Sequence, residues 1–363
     1  MTKREQQILQ WIAEDPMISQ EALAARAGIA RSSVAVHISN LMKKGYIAGK
    51  GYVLRQADYA VVIGGVNMDI GGQSFGPLVA RDSNPGAVRV SPGGVGRNIA
   101  HNMALLGLDV RMLTALGDDL YARQIAAGST GVDLSQALRC SGCPTSTYLY
   151  LAGPDGDMAL AVSDMALCER ITPEYLSGRL GLINHARLVV VDANLPAQTL
   201  AWLAENCTRP MFADPVSTAK AQRLKPILGK LHTIKPNRLE AELLTGIAVD
   251  SRQGLTQAAK ALLEAGVERV FLSLGSQGVY AAGDGQEVWL PSRPATLVGA
   301  NGAGDAFMAG LAWAFFQDAG LEQAALAGAS AAAIALESSA AINPNLSAGA
   351  LQARMAQPAA KTP

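Results

Sequence analysis

The segment LVGANGAGDAFMAGL, residues 297–311, joins five small residues and one carboxylate to an apolar run of helical character. A Gly-rich turn that opens a helix presents backbone N–H groups at the positive end of the helix dipole, and together these bind anions. The segment lacks the lysine of the GxxxxGK[ST] phosphate loop, yet it places Asp305 inside the anion-binding turn. These residues alone leave two interpretations open: a reacting carboxylate beside an anion site, or an ordinary first-turn acid after a tight turn.

Polar residues also follow the first apolar run of the main body, in the motif GGVNMDI. Asn67 and Asp69 stand two residues apart, so an extended chain directs both to one side. An amide beside a carboxylate suits the hydroxyls of a sugar, although an ordinary turn also explains the pair. In the next motif, SPGGVGRNIAHNMALLG, Gly93 and Gly94 allow close approach of the backbone to a ligand, and Asn98 lies one turn inside a helix.

Two later motifs carry residue types that suit a nucleotide and its metal. HTIKPNRLEAELL places Asn237 and Glu240 at i, i+3 on the first turn of a helix. An acid and an amide on one face can hold Mg²⁺ through water near phosphates, whereas the structural alternative is a helix start with a favourable acid. FLSLGSQGVY leaves a strand into a turn, where Ser273, Gly275 and Gly278 offer close backbone approach to a nucleotide.

The composition sets the size and class of the protein. A chain of 363 residues suits one large domain plus a small one, and with 49% hydrophobic and 17% charged residues it can bury a sizeable core. The apolar runs are too short or too alanine-rich for a membrane span, and the charged start MTKREQQILQWIAED does not resemble a signal peptide. We therefore expect a cytoplasmic protein with no membrane partner.

The four cysteines are too few for a disulfide framework in a chain of this size. Cys140 and Cys143 have the CxxC spacing of redox and zinc sites. No second CxxC or HxxxH completes a tetrahedral site, and the motif precedes a strand rather than opening a helix. The pattern therefore disfavours a redox or zinc role.

The formal net charge of zero hides an asymmetry between the two ends of the chain. Residues 1–55 hold eight Lys and Arg against four acids, so the remainder is acidic by the same margin. A basic front segment indicates a polyanionic partner.

Three helices and a hairpin can be read in this front segment. REQQILQWIAED, SQEALAARAG and RSSVAVHISNLMKKG have helical spacing of apolar residues, and YIAGKGYVL predicts a hairpin around Gly49-Lys50-Gly51. The order resembles a winged helix-turn-helix domain, here residues 1–56, in which the third helix would enter the major groove of double-stranded DNA. A small dimerisation domain or a vestigial appendage is the alternative. The residues predicted to face DNA are Arg31, Ser32, Ser33, His37, Lys43, Lys44 and Lys50.

The main body alternates apolar strand-like runs with amphipathic helical runs. Such alternation predicts a parallel sheet covered by helices on both faces. Ligands of these sheets bind beyond the carboxyl ends of the strands, where the motifs described above begin.

The order and spacing of GGVNMDI, SPGGVGRNIAHNMALLG, KPNRLEAELL, SLGSQG and NGAGDAFMAGL resemble the ribokinase-like (PfkB) carbohydrate and nucleoside kinases over residues 58–350. The resemblance implies an α/β/α sandwich with a small β lid, contributed by segments 71–90 and 145–163, and leaves residues 351–363 as a C-terminal tail. It further implies that Asp305 is the catalytic base, with Gly302, Ala303 and Gly304 as the anion hole. The other roles it implies are sugar binding by Asn67, Asp69, Gly93, Gly94 and Asn98, ATP binding by Asn237, Ser273, Gly275 and Gly278, and Mg²⁺ binding through water by Glu240.

Three stretches, STYLYLAGPDGDMALAVSDM, VVVDANLP and ADPVSTAKAQRLKPIL, resemble the pseudouridine-kinase branch of this family. That branch phosphorylates the 5′ hydroxyl of a C-linked nucleoside. Tyr148 and Asp164 would then approach the base, with ordinary lid packing as the alternative for Tyr148. Relatives often carry an acid ahead of the anion hole that helps to hold a monovalent cation. Gly299 stands in that region here and puts potassium activation in doubt, although backbone carbonyls could serve as ligands.

The sequence thus predicts an ATP- and Mg²⁺-dependent nucleoside kinase with an attached DNA-binding domain. The alternatives are a kinase for another nucleoside such as inosine or cytidine, a sugar kinase, and a transcriptional regulator that only senses a nucleoside. A homodimer is expected, because relatives and winged-helix proteins commonly dimerise.

Overall fold

The computed structural model describes residues 1–47 and 58–359, which divide into two compact units. One unit holds residues 1–58 together with His185–Arg187, and the other holds the rest of the chain. Among the described residues, no helix is long and apolar enough to cross a membrane.

The first unit contains three helices, α1 (Lys3–Glu14), α2 (Gln20–Ala27) and α3 (Arg31–Lys43). Helix α1 begins in a capping box between Thr2 and Glu5, and α2 ends at Gly28, whose φ of 63° is left-handed. Their apolar faces meet in a small core, as the helical spacing predicted. Most of the predicted hairpin, including Lys50, lies outside the described residues. The core residues are Ile8, Leu9, Ile12, Ile18, Leu23, Val34, Ile38, Leu41 and Ile47.

Fifteen strands can be followed in the described part of the second unit. They are β1 (Tyr59–Ile63), β2 (Asn67–Ser74), β3 (Gly86–Gly93), β4 (Asp109–Leu113), β5 (Ala115–Leu116), β6 (Val132–Asp133), β7 (Leu138–Arg139), β8 (Thr147–Ala152), β9 (Met158–Asp164), β10 (Leu188–Asp192), β11 (Met211–Asp214), β12 (Thr233–Ile234), β13 (Arg269–Ser273), β14 (Val279–Gly283) and β15 (Gln286–Leu290).

Nine of these strands form the main sheet, in the order β15-β14-β13-β12-β11-β10-β1-β4-β6. The pairs from β13 through β6 are parallel, and β14 and β15 add an antiparallel edge. Strands β1, β10 and β11 are buried along their whole length, as expected for parallel strands that are covered on both faces. The predicted parallel sheet is therefore confirmed.

Helices cover both faces of this sheet. They are α4 (Val95–Leu105), α5 (Leu120–Ala127), α6 (Pro173–Ser177), α7 (Leu180–His185), α8 (Ala197–Asn206), α9 (Thr218–Ala221), α10 (Arg238–Thr245), α11 (Arg252–Glu264), α12 (Ala303–Phe316), α13 (Leu321–Leu336) and α14 (Ala348–Ala356), with 3₁₀ turns at Ala166–Arg170, Gln222–Lys230 and Gly275–Gln277. The predicted tail at residues 351–363 needs correction, because α14 crosses the boundary at residue 350 and buries Leu351 in the core.

Strands β2, β3, β8 and β9 form a separate four-stranded sheet, in the order β3-β2-β8-β9. Its strands coincide with the two segments predicted as a lid. The register aligns the apolar residues of one face, and six of these side chains are between 41% and 71% exposed. The lid therefore carries an open apolar surface, here called the lid face. The six are Val88, Val90, Leu149, Leu151, Leu160 and Val162.

Candidate active site

Charged side chains occupy the carboxyl ends of three adjacent strands. Asp192 ends β10, Asp214 ends β11, and Lys235 follows β12. The buried Asp192 carboxylate accepts the backbone N–H groups of Gly65 and Gly96 at 2.9 and 2.8 Å. This aspartate therefore fixes the ends of two segments, the one before β2 and the one that opens α4.

The motif GGVNMDI supplies the first predicted sugar-binding pair. The Asn67 amide donates to Oδ1 of Asp69 at 2.5 Å. A Cβ atom at Gly93 would lie 2.2 Å from the same carboxylate. At Gly94, which has a φ of 97°, an added Cβ atom would lie 2.6 Å from Cα of Val66. Both glycines therefore permit a close approach that a larger residue would block.

The predicted base and one predicted sugar ligand meet directly. Asn98, in the first turn of α4, donates from Nδ2 to Oδ2 of Asp305 at 2.9 Å, although 207 residues separate them. Desolvation raises the pKa of Asp305 to about 8; the charges of Asp214 and Asp192 also raise it, whereas the Asn98 hydrogen bond and the Lys235 charge lower it. A carboxyl group with this pKa can accept and release a proton near neutral pH.

Asp305 lies in the first turn of α12, directly after the three predicted anion-hole residues in the chain. Gly302 precedes this helix with a left-handed φ of 77°, and a Cβ atom there would lie 2.0 Å from the carbonyl oxygen of Ala341. A Cβ atom added at Gly304 would be in ordinary van der Waals contact with Nζ of Lys235, at 3.5 Å. The turn thus combines free helix N-terminal N–H groups with a nearby cation, which suits an anionic group such as a phosphate.

Lys235 forms a buried ion pair with Asp214, with Nζ 3.2 Å from Oδ2. Burial alone would lower the pKa of Lys235, but the charges of Asp214, Glu240 and Asp305 hold it above its ordinary value. The ammonium is therefore charged beside Gly304.

The predicted nucleotide and metal residues lie around the N-terminus of α10. Asn237 and Glu240 form a capping box, since each side chain accepts the other's backbone N–H at 2.9 Å. Burial raises the pKa of the Glu240 carboxyl. Ser273 pairs with Asn237 through a backbone bridge. The structural interpretation of this motif therefore holds, and the capping box uses one of the two Glu240 carboxylate oxygens.

The turn that follows β13 is shaped by two left-handed glycines, Gly275 and Gly278. A cavity of about 820 Å³ lies against this turn. The lining is mainly apolar and comes from four separate segments, which suits an aromatic base at one end of a nucleotide. Its residues include Gly275, Ser276, Arg293, Leu297, Leu336 and Pro358.

The register of the lid sheet separates the two predicted base-contacting residues. Tyr148 pairs with Asp69, and their side chains share the face opposite the lid face. Asp164 pairs with Thr147, the residue before Tyr148, so the side chain of Asp164 lies on the same side of the sheet as the lid face. Its Oδ1 accepts the backbone N–H of Ala166 at 3.2 Å. The structure therefore does not bring Asp164 to the site, and this prediction is corrected.

The residues predicted to face DNA divide into four groups. Arg31, Ser32, Ser33 and Lys43 are exposed on α3, although Arg31 also pairs with Glu21 at 3.1 Å. His37 is half-buried, and Lys50 lies outside the described residues.

Lys44 forms the fourth group, because its side chain is 43% exposed and also forms an ion pair within the domain. Its Nζ donates to both carboxylate oxygens of the buried Glu5, at 2.9 and 2.8 Å, so it joins α3 to α1. This contact lowers the pKa of Glu5. Lys44 therefore stabilises the domain, and its contact with DNA stays a prediction.

A carboxylate of raised pKa, polar groups suited to hydroxyls and an anion-binding helix start define a phosphotransferase site. The pfkB family carbohydrate kinases match residues 57–348, and the winged helix-turn-helix DNA-binding family matches residues 1–48. The chain therefore belongs to the pfkB family of carbohydrate kinases, phosphotransferases with a hydroxyl acceptor, and carries an N-terminal winged helix-turn-helix domain.

Two proteins of Escherichia coli K12 are each 41% identical to this chain. The uncharacterized sugar kinase YeiI aligns over 96% of this chain and 97% of its own length, and pseudouridine kinase aligns over 71% and 84%. The alignment with YeiI is long enough to include most of the N-terminal domain.

Solved structures agree with this family assignment. A putative sugar kinase from Clostridium perfringens is 28% identical with a TM-score of 0.73, over 83% of this chain and 96% of that one. The ribokinase of Arabidopsis thaliana, solved with ribose and ATP, has a TM-score of 0.74 at 22% identity, over 83% of this chain and all of that one. The second likeness concerns the fold alone and confirms the predicted ribokinase-like architecture.

Several residues of the site escaped sequence reasoning. Asp192, Asp214 and Lys235 ended strands that had been recognised, and the rule that ligands bind at strand ends could have singled them out. Arg97, directly before Asn98, had no motif signal of its own. Three of its five hydrogen-bond acceptors, at Pro92, Gly128 and Ser129, come from outside its own helix.

Proposed function

We propose that this protein is an ATP- and Mg²⁺-dependent nucleoside kinase that phosphorylates the 5′ hydroxyl of a ribonucleoside, with pseudouridine as its substrate. The observation that carries the proposal is the contact between Asn98 and Asp305 at the start of α12, because it joins a sugar-binding amide, a base and an anion hole. The choice of pseudouridine rests on the 41% identity to the E. coli enzyme.

The proposed mechanism assigns a step to each group of residues. Asn67, Asp69 and Asn98 bind the ribose hydroxyls, with Gly93 and Gly94 allowing the backbone to come close. Asp305 accepts the proton of the 5′ hydroxyl as the oxygen attacks. Tyr148 lies on the substrate side of the lid, and closure of the lid excludes water from the reaction. The raised pKa of Asp305 fits this role, since the carboxyl can take up the proton and later release it.

The phosphate side of the site has its own groups. Bound ATP supplies the transferred phosphoryl group. The N–H groups of Gly302, Ala303 and Gly304 stabilise the charge that develops on it, and positioning and electrostatics provide most of the catalysis. The fit is supported by the buried cation of Lys235 beside Gly304.

The remaining proposed nucleotide contacts come from the start of α10 and from the end of β13 with the turn that follows it. Asn237, Ser273, Gly275 and Gly278 contact ATP, Glu240 holds Mg²⁺ through water, and the 820 Å³ cavity receives the adenine.

Potassium activation stays a prediction. A Cβ atom at Gly299 would lie 2.6 Å from the carbonyl oxygen of Ser338, so this backbone has no room for an acidic side chain there. A monovalent cation would therefore depend on backbone carbonyl ligands. Activity with and without K⁺ tests this point.

The regiochemistry of the product tests the proposed substrate class. Purified protein with Mg-ATP and pseudouridine is expected to give a 5′-monophosphate, and 5′-deoxy-pseudouridine is expected to give no product. Phosphorylation of the 5′-deoxy compound would contradict the assignment to the 5′ hydroxyl. Turnover only with inosine, cytidine, ribose or fructose would retain the mechanism and replace the substrate.

A second function is favoured by the exposed polar surface of α3. We propose that the N-terminal domain binds double-stranded DNA, with Arg31, Ser32, Ser33, His37 and Lys43 on the groove side and Lys50 from the wing. Removal of residues 1–55 is expected to abolish duplex binding. Unchanged binding by the truncated protein would contradict this proposal. Binding of DNA without turnover of any nucleoside or sugar would favour a nucleoside-sensing regulator.

We also propose a homodimer through the lid face. Its six exposed apolar side chains come from three of the four lid strands and lie on one face, and a contiguous apolar patch of this kind marks an interaction surface. A second copy of the chain offers the same apolar face, and a two-fold contact buries both.

A further inference from the structure

Arg97 lies on α4 directly before Asn98, and it is buried although arginine is usually exposed. A guanidinium group has five N–H donors in a fixed fork, and all five have an acceptor here. The acceptors come from β3, α4 and the end of α5. They are Ser129 Oγ for Nε at 3.2 Å, the Pro92 carbonyl and Asn98 Oδ1 for Nη1 at 3.1 and 3.2 Å, and His101 Nδ1 at 3.1 Å with the Gly128 carbonyl for Nη2.

His101 accepts one of these bonds because its ring is neutral. Burial and, as the smaller cause, the charge of Arg97 together lower the pKa of His101 to about 4. In the tautomer that carries its proton on Nε2, Nδ1 of this neutral ring accepts the hydrogen bond from Arg97. The set of five acceptors therefore stays intact near physiological pH.

The bond to Asn98 fixes the orientation of its amide group. Oδ1 faces Nη1 of Arg97, and Nδ2 faces the carboxylate of Asp305 at 2.9 Å. A reversed amide would place two donors together at Arg97 and two oxygens together at Asp305. Since both ends would then be repelled, the arginine determines which end of the amide meets Asp305.

We propose that Arg97 is the positioning residue that orients Asn98 and so holds its amide N–H against Asp305, which rests on the proposed roles of these two residues. Arg97 also joins the end of lid strand β3, through Pro92, to the end of α5 through Gly128. Its charge acts on Asp69, whose pKa is raised by burial and lowered by Asn67 and Arg97. One side chain thereby connects the sugar-binding segments to the base.

A double-mutant cycle on the full-length protein tests this role. Arg97→Gln and Asn98→Ala are each expected to lower kcat/KM for the nucleoside at least about tenfold, and Arg97→Gln is expected to add less than about threefold in the Asn98→Ala background. If the fold-losses in kcat/KM of the two single variants multiply in the double variant, the proposal is overturned. Arg97→Lys, which keeps the charge but offers three donors, is a second variant that is expected to fold and still lose activity.

The pH profile gives a readout that a purely structural role would not change. Asn98 Nδ2, Lys235, Asp214 and Asp192 act on the Asp305 carboxylate, and of these the Asn98 bond depends on Arg97. Arg97→Gln and Arg97→Lys are therefore expected to move the acid limb of kcat/KM to higher pH. An unmoved limb in both variants would overturn the proposal.

Two controls separate this proposal from the proposed function. Arg111→Gln changes a partly exposed arginine of β4, which pairs with Asp109 at 3.9 Å, and it is expected to leave the profile unchanged. If Asp305→Ala abolishes turnover while Asn98→Ala has no effect, the kinase proposal stands and the positioning role of Arg97 is overturned. If Asp305→Ala also has no effect, the proposed mechanism itself fails.

Discussion

Nζ of Lys235 lies 3.2 Å from Oδ2 of Asp214, and the two side chains are each 6% exposed. The pair lies at the ends of β12 and β11, beside the turn that opens α12. The carboxylate of Asp214 holds the Lys235 ammonium in a fixed position beside this turn.

Loss of one partner should therefore destabilise the protein. Lys235→Met leaves the Asp214 carboxylate buried without a cation, which is expected to cost about 3–5 kcal/mol in the free energy of unfolding. The double variant Lys235→Met with Asp214→Asn removes both charges and is expected to recover most of this loss. Urea unfolding measures both. A double variant no more stable than the single one would contradict the account of the pair.

The conformation of the anion hole can be tested with a matched pair of glycines. Gly302→Ala forces a Cβ atom to 2.0 Å from the Ala341 carbonyl, whereas Gly285 has a similar φ of 70° with nothing within 4 Å. Gly285→Ala is expected to cost about 1 kcal/mol, the ordinary penalty of a left-handed residue. Gly302→Ala is expected to lose clearly more stability and most of kcat. Equal effects in thermal unfolding and kinetics would contradict the predicted clash.

The raised pKa of Asp305 has a kinetic consequence. With a pKa of about 8, the carboxyl is largely protonated at pH 7 and gains its base form as the pH rises. We expect kcat/KM to rise with pH and to level off above about pH 8. A profile that is flat between pH 6 and pH 9 would contradict the role of Asp305 as base.

The same pKa has a consequence for stability. The ordinary value is 3.8, so between that value and about 8 the folded state holds a proton that the unfolded state releases. The contribution of Asp305 is therefore present at low pH and is lost as the pH rises through about 8. Asp305→Asn removes this dependence, so its free energy of unfolding relative to the wild type should increase from pH 5 to pH 9. A constant difference would contradict the raised pKa.

Exposed and paired cations of α3 should behave differently toward DNA. Lys43→Ala removes an exposed charge and is expected to weaken duplex binding and to reduce the slope of log K against log salt by about 1. Lys44→Ala instead leaves the buried Glu5 carboxylate without its ion-pair partner, so we expect it to lower mainly the free energy of unfolding. Binding by fluorescence anisotropy at several salt concentrations distinguishes them. An unchanged slope in Lys43→Ala would remove Lys43 from the DNA surface.

The lid face gives a test of the proposed dimer. Leu160→Asp places a charge on a side chain that is 61% exposed, where it costs little in a monomer. We expect the wild type to be dimeric by light scattering and the variant to be monomeric with unchanged unfolding. Glu205→Lys on α8 serves as an exposed control away from the lid. A wild type that is monomeric at all concentrations would contradict the proposal.

The sequence was sufficient for the fold because the strand and helix signals are local. Apolar runs such as those of β1 and β10, separated by amphipathic helices, define a parallel sheet without reference to distant contacts. The motif around Gly302 could be recognised in the same way, since its left-handed backbone and helix start depend on neighbouring residues. Asp305 followed from the family resemblance.

Contacts between distant segments were beyond the sequence. The approach of Asn98 to Asp305, and of Lys235 to Asp214, depends on the packing of α4, α12 and the strand ends. Asp164 was misplaced because one position of register in β9 decides which face of the lid it occupies. The ion pair between Lys44 and the buried Glu5 likewise depends on the packing of α3 against α1, 39 residues apart in the chain.

The most direct test is a phosphorylation screen of the wild type and Asp305→Ala with Mg-ATP. The panel contains pseudouridine, inosine, cytidine, ribose and fructose. We expect pseudouridine to have the highest kcat/KM, and Asp305→Ala to lower it by about 10²-fold or more while ATP still binds. Turnover that does not depend on Asp305, or the absence of turnover with every compound, would contradict the proposed kinase mechanism.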